Sequence, residues 1–196
     1  MAELPEVETL RRQLLAAVVG LRWDRVEAVP SSLFRTPAKA VAEALTGARL
    51  ARVDRRGKVL LLGFDADRVL LVHLGMSGQI LLVPPAEPGP RHQHLVATIE
   101  DGRRLVFRDP RRFGFLKLAR EAGLVVVKEL ASVGRDPLDP AQTWERFVRD
   151  CAGRAGAVKP LLLSQEFFAG VGNIYADEIL HAARLRPARA AASLTP

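Results

Sequence analysis

The chain has 196 residues, 48% of them hydrophobic and 26% charged, which excludes a disordered chain or a coiled coil and suffices for a buried core without staples. Its single cysteine, Cys151, excludes a disulfide framework, and no apolar run nears the roughly 18 residues of a membrane span. With 29 basic against 22 acidic residues the net charge is +7, so polyanions are expected partners.

Residues 1–130 carry 21 basic and 15 acidic side chains, so a polyanion-binding surface is weighted to that part. The basic residues are 24 arginines and five lysines, an imbalance that reads as GC-rich coding bias. The acidic start, Met1-Ala2-Glu3-Leu4-Pro5-Glu6, lacks the basic and apolar stretches of a signal peptide, and a reducing cytoplasm is expected.

The first predicted element is a helix over Pro5–Val19. Val7, Leu10, Leu14 and Val18 share one face, Pro5 suits the first turn and Gly20 stops the helix. From Arg25 to Leu118 the pattern is that of strands. They are predicted at Ala51–Phe64, Arg68–Leu74, Gln79–Val83, His94–Glu100 and Arg104–Phe107, divided by turn signals. Glu100-Asp101-Gly102 marks a hairpin, and Pro84–Pro90, with four prolines, is a loop. Short strands at this spacing suit a sandwich or a barrel. Residues 119–138 read as a connector. Beyond it the period is helical: a helix capped by Asp139-Pro140 and containing Trp144, Phe147 and Val148, a second at Val158–Leu163, a tight turn at Gly170-Val171-Gly172, and a third helix over Asn173–Leu185.

The start of the chain also carries chemistry. A small second residue lets Met1 be trimmed, which exposes the α-amine of Ala2 beside Glu3. An α-amine has a pKa near 8, so a useful fraction is uncharged and nucleophilic at neutral pH, and an adjacent acid can move the proton.

Five motifs run in order along the chain. They are Ala2-Glu3-Leu4-Pro5-Glu6-Val7-Glu8-Thr9-Leu10-Arg11-Arg12, Arg55-Arg56-Gly57-Lys58, His73-Leu74-Gly75-Met76-Ser77-Gly78 and Asp109-Pro110-Arg111-Arg112-Phe113-Gly114. The last is Lys159-Pro160-Leu161-Leu162-Leu163 followed by Gly170-Val171-Gly172-Asn173-Ile174-Tyr175-Ala176-Asp177-Glu178. Together they resemble the formamidopyrimidine-DNA glycosylase family, which includes the endonuclease VIII enzymes. The first and third motifs favour the formamidopyrimidine branch.

The resemblance implies an α+β protein: an N-terminal helix and two-layer β-sandwich catalytic domain over 1–118, a linker over 119–138, and an all-helical helix-two-turns-helix DNA-binding domain over 139–196. It implies a bifunctional DNA glycosylase and AP lyase of DNA repair. Such an enzyme excises oxidised purines through a Schiff base and nicks the abasic strand. Its partner is double-stranded DNA with oxidised bases or abasic sites, and a monomer is expected. The nucleophile's position is Ala2, where the family usually has proline. Glu3 matches the general acid and base, and Lys58 the assisting lysine. Extruding a nucleotide leaves a void in the duplex, and the positions that fill it match Met76, Arg111 and Phe113. By residue type alone Met76 and Phe113 read as core. DNA-contacting positions of the family map to His92, Arg111, Arg154 and Asn173, the last of which also suits a plain helix cap, and Arg112 is a further candidate DNA contact. The family continues into a four-cysteine zinc finger. This chain has one cysteine, so the finger is expected to be missing and no cofactor or metal is expected. The competing reading is a non-cutting module that binds abasic or damaged DNA.

Overall fold

A computed structural model describes residues 2–195. They form two compact units that divide between Val127 and Lys128, inside the expected connector. That connector is largely structured. It holds the end of strand β8, a short 3₁₀ turn at Glu121–Val126 and helix α3 (Lys128–Ala131).

Unit 1 begins with helix α1 (Leu4–Val18), whose buried face carries Leu4, Val7, Leu14 and Val18. Eight strands follow: β1 (Trp23–Ala28), β2 (Leu50–Arg56), β3 (Val59–Phe64), β4 (Arg68–His73), β5 (Gln79–Val83), β6 (Gln93–Ile99), β7 (Arg104–Arg108) and β8 (Phe115–Arg120), with helix α2 (Ala38–Leu45) between β1 and β2. They pair antiparallel into two four-stranded sheets, ordered β1-β6-β7-β5 and β2-β3-β4-β8. Both sheets feed one core, with Val26, Leu95, Ile99 and Phe107 from the first and Val53, Leu60, Leu62, Val72 and Leu116 from the second. The two-layer sandwich therefore holds, and the Trp23 and Phe64 rings meet edge-on at 4.7 Å between its layers.

The residues expected as one strand at 51–64 are two. The Arg56↔Val59 pair leaves only Gly57 and Lys58 in the turn, and Gly57 takes φ +58°. A two-residue hairpin turn needs this left-handed conformation, which glycine adopts at little cost. The strand pattern ran unbroken because β3 is buried along its whole length. Strands β1 and β8 and helix α2 also had no separate place in the sequence reading.

Unit 2 contains α4 (Trp144–Cys151), α5 (Val158–Leu163) and α6 (Asn173–Ala182) around a core of Cys151, Val158, Leu162, Phe167, Phe168, Val171 and Leu180. The Phe147 and Phe168 rings stack at 5.6 Å. The cap of α4 is Thr143, whose hydroxyl accepts the Arg146 N–H at 3.3 Å, and not Asp139-Pro140. Asp139 instead closes its own turn, accepting the Ala141 N–H at 2.9 Å. Helix α6 stops at Ala182, short of the expected Leu185, because Arg184 turns into the left-handed region at φ +54°. Among the described residues no helix is long and apolar enough to cross a membrane.

Candidate functional site

Three local devices assemble the site of unit 1. The first is the start of α1. Glu3 is the N-cap, and its own N–H donates to the Glu6 carboxylate at 3.0 Å in a capping box. The Glu3 side chain is buried, and the Ala2 nitrogen donates to the Gly75 carbonyl at 3.2 Å.

The second device is a charge cluster that ties α1 to the β2–β3 hairpin. The Glu8 carboxylate accepts from Arg11 at 2.8 and 2.9 Å, from Arg12 at 2.8 Å and from Arg55 at 3.1 Å. Arg55 also donates to the Gly57 carbonyl at 3.0 Å, directly in the turn that carries Lys58. The Arg11 hydrogen bonds, then those of Arg12 and Arg55, hold the Glu8 carboxyl down to about 2 against the cost of its burial. Lys58 is brought within electrostatic reach of Glu3. Burial pushes its ammonium below the ordinary lysine range, and the Glu3 charge opposes that shift. A lysine so placed gives up its proton more readily than a solvated one.

The third device locks two loops together. Asp109 is fully buried and accepts from the Ser77 hydroxyl at 2.5 Å, the Gly114 N–H at 2.9 Å and the Arg111 N–H at 3.2 Å. Burial of Asp109 disfavours its charge, yet these donors prevail and leave its carboxyl below the usual range. Gly75 sits at φ +61°, where a Cβ would lie 2.5 Å from the Phe113 carbonyl carbon, and at Gly114 a Cβ would lie 2.4 Å from the His73 oxygen. The two backbones touch at positions only glycine fits. The loops therefore present Met76 and Phe113 outward, 47% and 55% exposed, with the Arg111 guanidinium 4.7 Å from the Phe113 ring centroid. Neither is a core residue, despite its type.

Of the remaining expected residues in unit 1, His92 is exposed at φ +61°, and its carbonyl accepts the Asp109 N–H at 3.2 Å. Arg112 is exposed at φ +56° on the same loop as Arg111. Unit 1 thus gathers Ala2, Glu3, Lys58, Met76, His92, Arg111, Arg112 and Phe113 around the joined loops and the hairpin turn.

Arg154 and Asn173 belong to unit 2. Arg154 is exposed, donates to the Asp150 carbonyl at 2.9 Å and lies 5.2 Å from the Phe167 ring centroid. Asn173 is exposed in the first turn of α6, whose cap is Gly172, so the plain-cap reading of Asn173 does not hold. The two turns between α5 and α6 are held by Gln165. Its amide donates to the Leu163 and Val171 carbonyls at 3.0 and 2.8 Å and accepts the Gly170 N–H at 2.9 Å.

The sequence reading had no place for Glu8, Arg55, His73, Ser77, Asp109 and Gln165 as site residues. All but Gln165 lie inside the quoted motifs, which was the available signal. The one cysteine is buried in the core of unit 2, and no group of three or more His, Cys, Asp or Glu side chains suited to a metal stands among the described residues.

A sandwich with a capped N-terminal acid and a separate two-turn helical unit defines a class. Residues 1–116 match the formamidopyrimidine-DNA glycosylase N-terminal domain, and residues 133–196 match the H2TH domain of the same enzymes. The whole chain is 44% identical to a formamidopyrimidine-DNA glycosylase of Symbiobacterium thermophilum and spans 64% of that protein's length. It is likewise 44% identical to one from Rhodospirillum rubrum, spanning 70% of it. The fold superposes on the Lactococcus lactis Fpg in complex with DNA containing an abasic site, with a TM-score of 0.89 and 32% identity, over 98% of this chain and 71% of that one. A second structure of that enzyme, inhibited and bound to DNA with an N7-benzyl-Fapy-dG, gives 0.89 at 31% identity, over 99% and 72%. The chain belongs to the formamidopyrimidine-DNA glycosylase family.

Proposed function

We propose that the protein is a DNA glycosylase of base-excision repair with an associated AP lyase step, acting on oxidised purines in duplex DNA. The observation that carries this reading is the site of unit 1: a nucleophile position at Ala2 beside the buried acid Glu3, with Lys58 in electrostatic reach.

Once Met1 is trimmed, the uncharged Ala2 amine bonds to C1′ of the damaged nucleotide. The glycosidic bond breaks, and the departing base takes a proton through Glu3. Opening of the sugar, with O4′ gaining a proton, gives an imine. Its protonated form is the electron sink for loss of a C2′ proton and departure of the 3′ phosphate. The nucleotide must leave the stack for this to occur. Exposed Met76 and Phe113 are suited to fill the gap as apolar wedges, and Arg111 beside them to pair with the orphaned base. His92, Arg112, Arg154 and Asn173 supply exposed donors for phosphates.

One observation favours a second reading, a non-cutting binder of abasic DNA: alanine stands at position 2, where the family usually has proline. A secondary amine gives a permanently charged iminium, whereas the Ala2 imine must first gain a proton. Borohydride trapping on an 8-oxoguanine duplex separates the two. The expected result is an adduct mapped by mass spectrometry to Ala2, with base excision abolished in Glu3→Gln. An adduct at Lys58 overturns the assignment of the nucleophile. No adduct, with tight binding of abasic duplex retained, establishes the second reading.

A further inference from the structure

His73 ends strand β4, where its Cα pairs with Val59 on one side and Phe115 on the other. Its ring lies flat against Phe115, with centroids 5.3 Å apart and planes within 5°. Its Nδ1 accepts the Gly75 N–H at 3.0 Å. A ring nitrogen that accepts a hydrogen bond carries no proton, so the neutral ring is the Nε2–H tautomer. The Gly75 carbonyl in turn accepts the Ala2 N–H at 3.2 Å, a peptide N–H while Met1 is attached and one N–H of the α-amine once it is trimmed. The two bonds run in series through one residue, and a Cβ on that residue would collide with the backbone of Phe113 and Gly114.

We infer that His73 is a positioning residue for the N-terminal amine left when Met1 is trimmed: its unprotonated Nδ1 holds Gly75, and the Gly75 carbonyl holds one N–H of Ala2, which anchors the nitrogen and narrows the directions open to its lone pair. The inference rests on the reading of Ala2 as nucleophile. Orientation of this kind matters because a displacement of about 1 Å at a reacting atom costs roughly a hundredfold in rate. Protonation of Nδ1 would set N–H against N–H and break the first bond. Burial, and then the Lys58 ammonium, hold the His73 pKa below its usual value, which keeps the acceptor in place at neutral pH. The charge that acts on the ring is Lys58 from the hairpin turn, itself within electrostatic reach of Glu3 from α1; Arg35 lies 6.0 Å from the Phe115 ring centroid, and the Asp109 carboxylate stands beside Gly114, which packs on the His73 carbonyl.

The test compares His73→Asn with His73→Gln in the full chain. The Asn amide oxygen takes the place of Nδ1, whereas the Gln oxygen takes that of Nε2. His73→Asn is expected to keep trapping near the parent rate and to lose sensitivity to His73 protonation at acid pH. His73→Gln and His73→Ala are expected to lose about tenfold or more. Modification of the Ala2 α-amine by a small acylating reagent, mapped by mass spectrometry, makes the same comparison without DNA. It separates failure of this inference from failure of the nucleophile reading: the Asn-over-Gln order persists in amine modification even if the parent forms no DNA adduct. Nitrogen-15 NMR of the parent ring requires no variant and is expected to show Nε2 protonated and Nδ1 bare. A Nδ1–H tautomer, rescue by Gln instead of Asn, or equal behaviour of all three variants overturns the inference.

Discussion

Glu8 shows how one carboxylate organises a site it does not enter. Its three arginine partners come from α1 and from the strand leading into the Lys58 turn, so it couples the helix that begins at Glu3 to the hairpin. Its folded pKa of about 2 lies below the ordinary 4.5. A depressed carboxyl stabilises the fold above the unfolded pKa, and that contribution fades as pH falls from about 4.5 to about 2. The side chain is 12% exposed, so little of the interaction is screened, and the shift sets a ceiling of roughly 3 kcal/mol. Denaturant titrations at pH 7 and pH 3 are expected to show a smaller pH-dependent loss in Glu8→Gln than in the parent. The variant is also expected to be less stable at pH 7, because it leaves three guanidinium groups around a neutral amide. Equal pH slopes in the two proteins would remove Glu8 from this role.

At the scale of elements, two loops act as one. The Asp109 carboxylate and the close approach of Gly75 and Gly114 turn the 74–78 and 109–114 segments into a rigid double loop that displays Met76, Arg111 and Phe113. Two kinds of substitution are therefore expected to separate. Met76→Ala and Phe113→Ala remove exposed side chains, and each is expected to change stability by no more than about 0.5 kcal/mol while lesion cutting falls sharply. Gly75→Ala forces a Cβ into the Phe113 backbone and a side chain into the left-handed region, the latter alone costing about 1–2 kcal/mol. It is expected to lower both the melting temperature and the activity. A large loss of melting temperature in Met76→Ala or Phe113→Ala would instead return those residues to the core, where truncation costs about 2–5 kcal/mol.

For the molecule as a whole, the dominant quantity is charge. The chain carries +7, and we propose Lys58, Arg111, Arg112 and Arg154 as its cationic contacts to DNA. Each phosphate neutralised contributes about −0.9 to the slope of log K against log salt. Roughly four such contacts lower duplex affinity about a hundredfold between 50 and 200 mM salt. Fluorescence anisotropy with a labelled abasic duplex reads this directly, and a flat salt response would exclude the basic residues as a phosphate-binding surface.

The sequence by itself determined what is local. The period of α1, the strand character between 25 and 118, the helical return and the order of five motifs all depend on neighbours within a few residues. Turn chemistry was legible where a signal was strong, at Asp101-Gly102, and was passed over at Gly57, between Arg56 and Lys58, because the continuous apolar run of β3 that follows shows no alternation to mark where a new strand begins. Tertiary structure alone decided where side chains of ambiguous type end up. Met76 and Phe113 have the composition of core residues and are exposed, because glycine contacts some 40 residues apart in sequence push their loops together. Glu8 and Asp109 gained their places in the same way. Each draws a partner, Arg55 or Ser77, from another segment of the chain, and no local propensity encodes a contact across that distance.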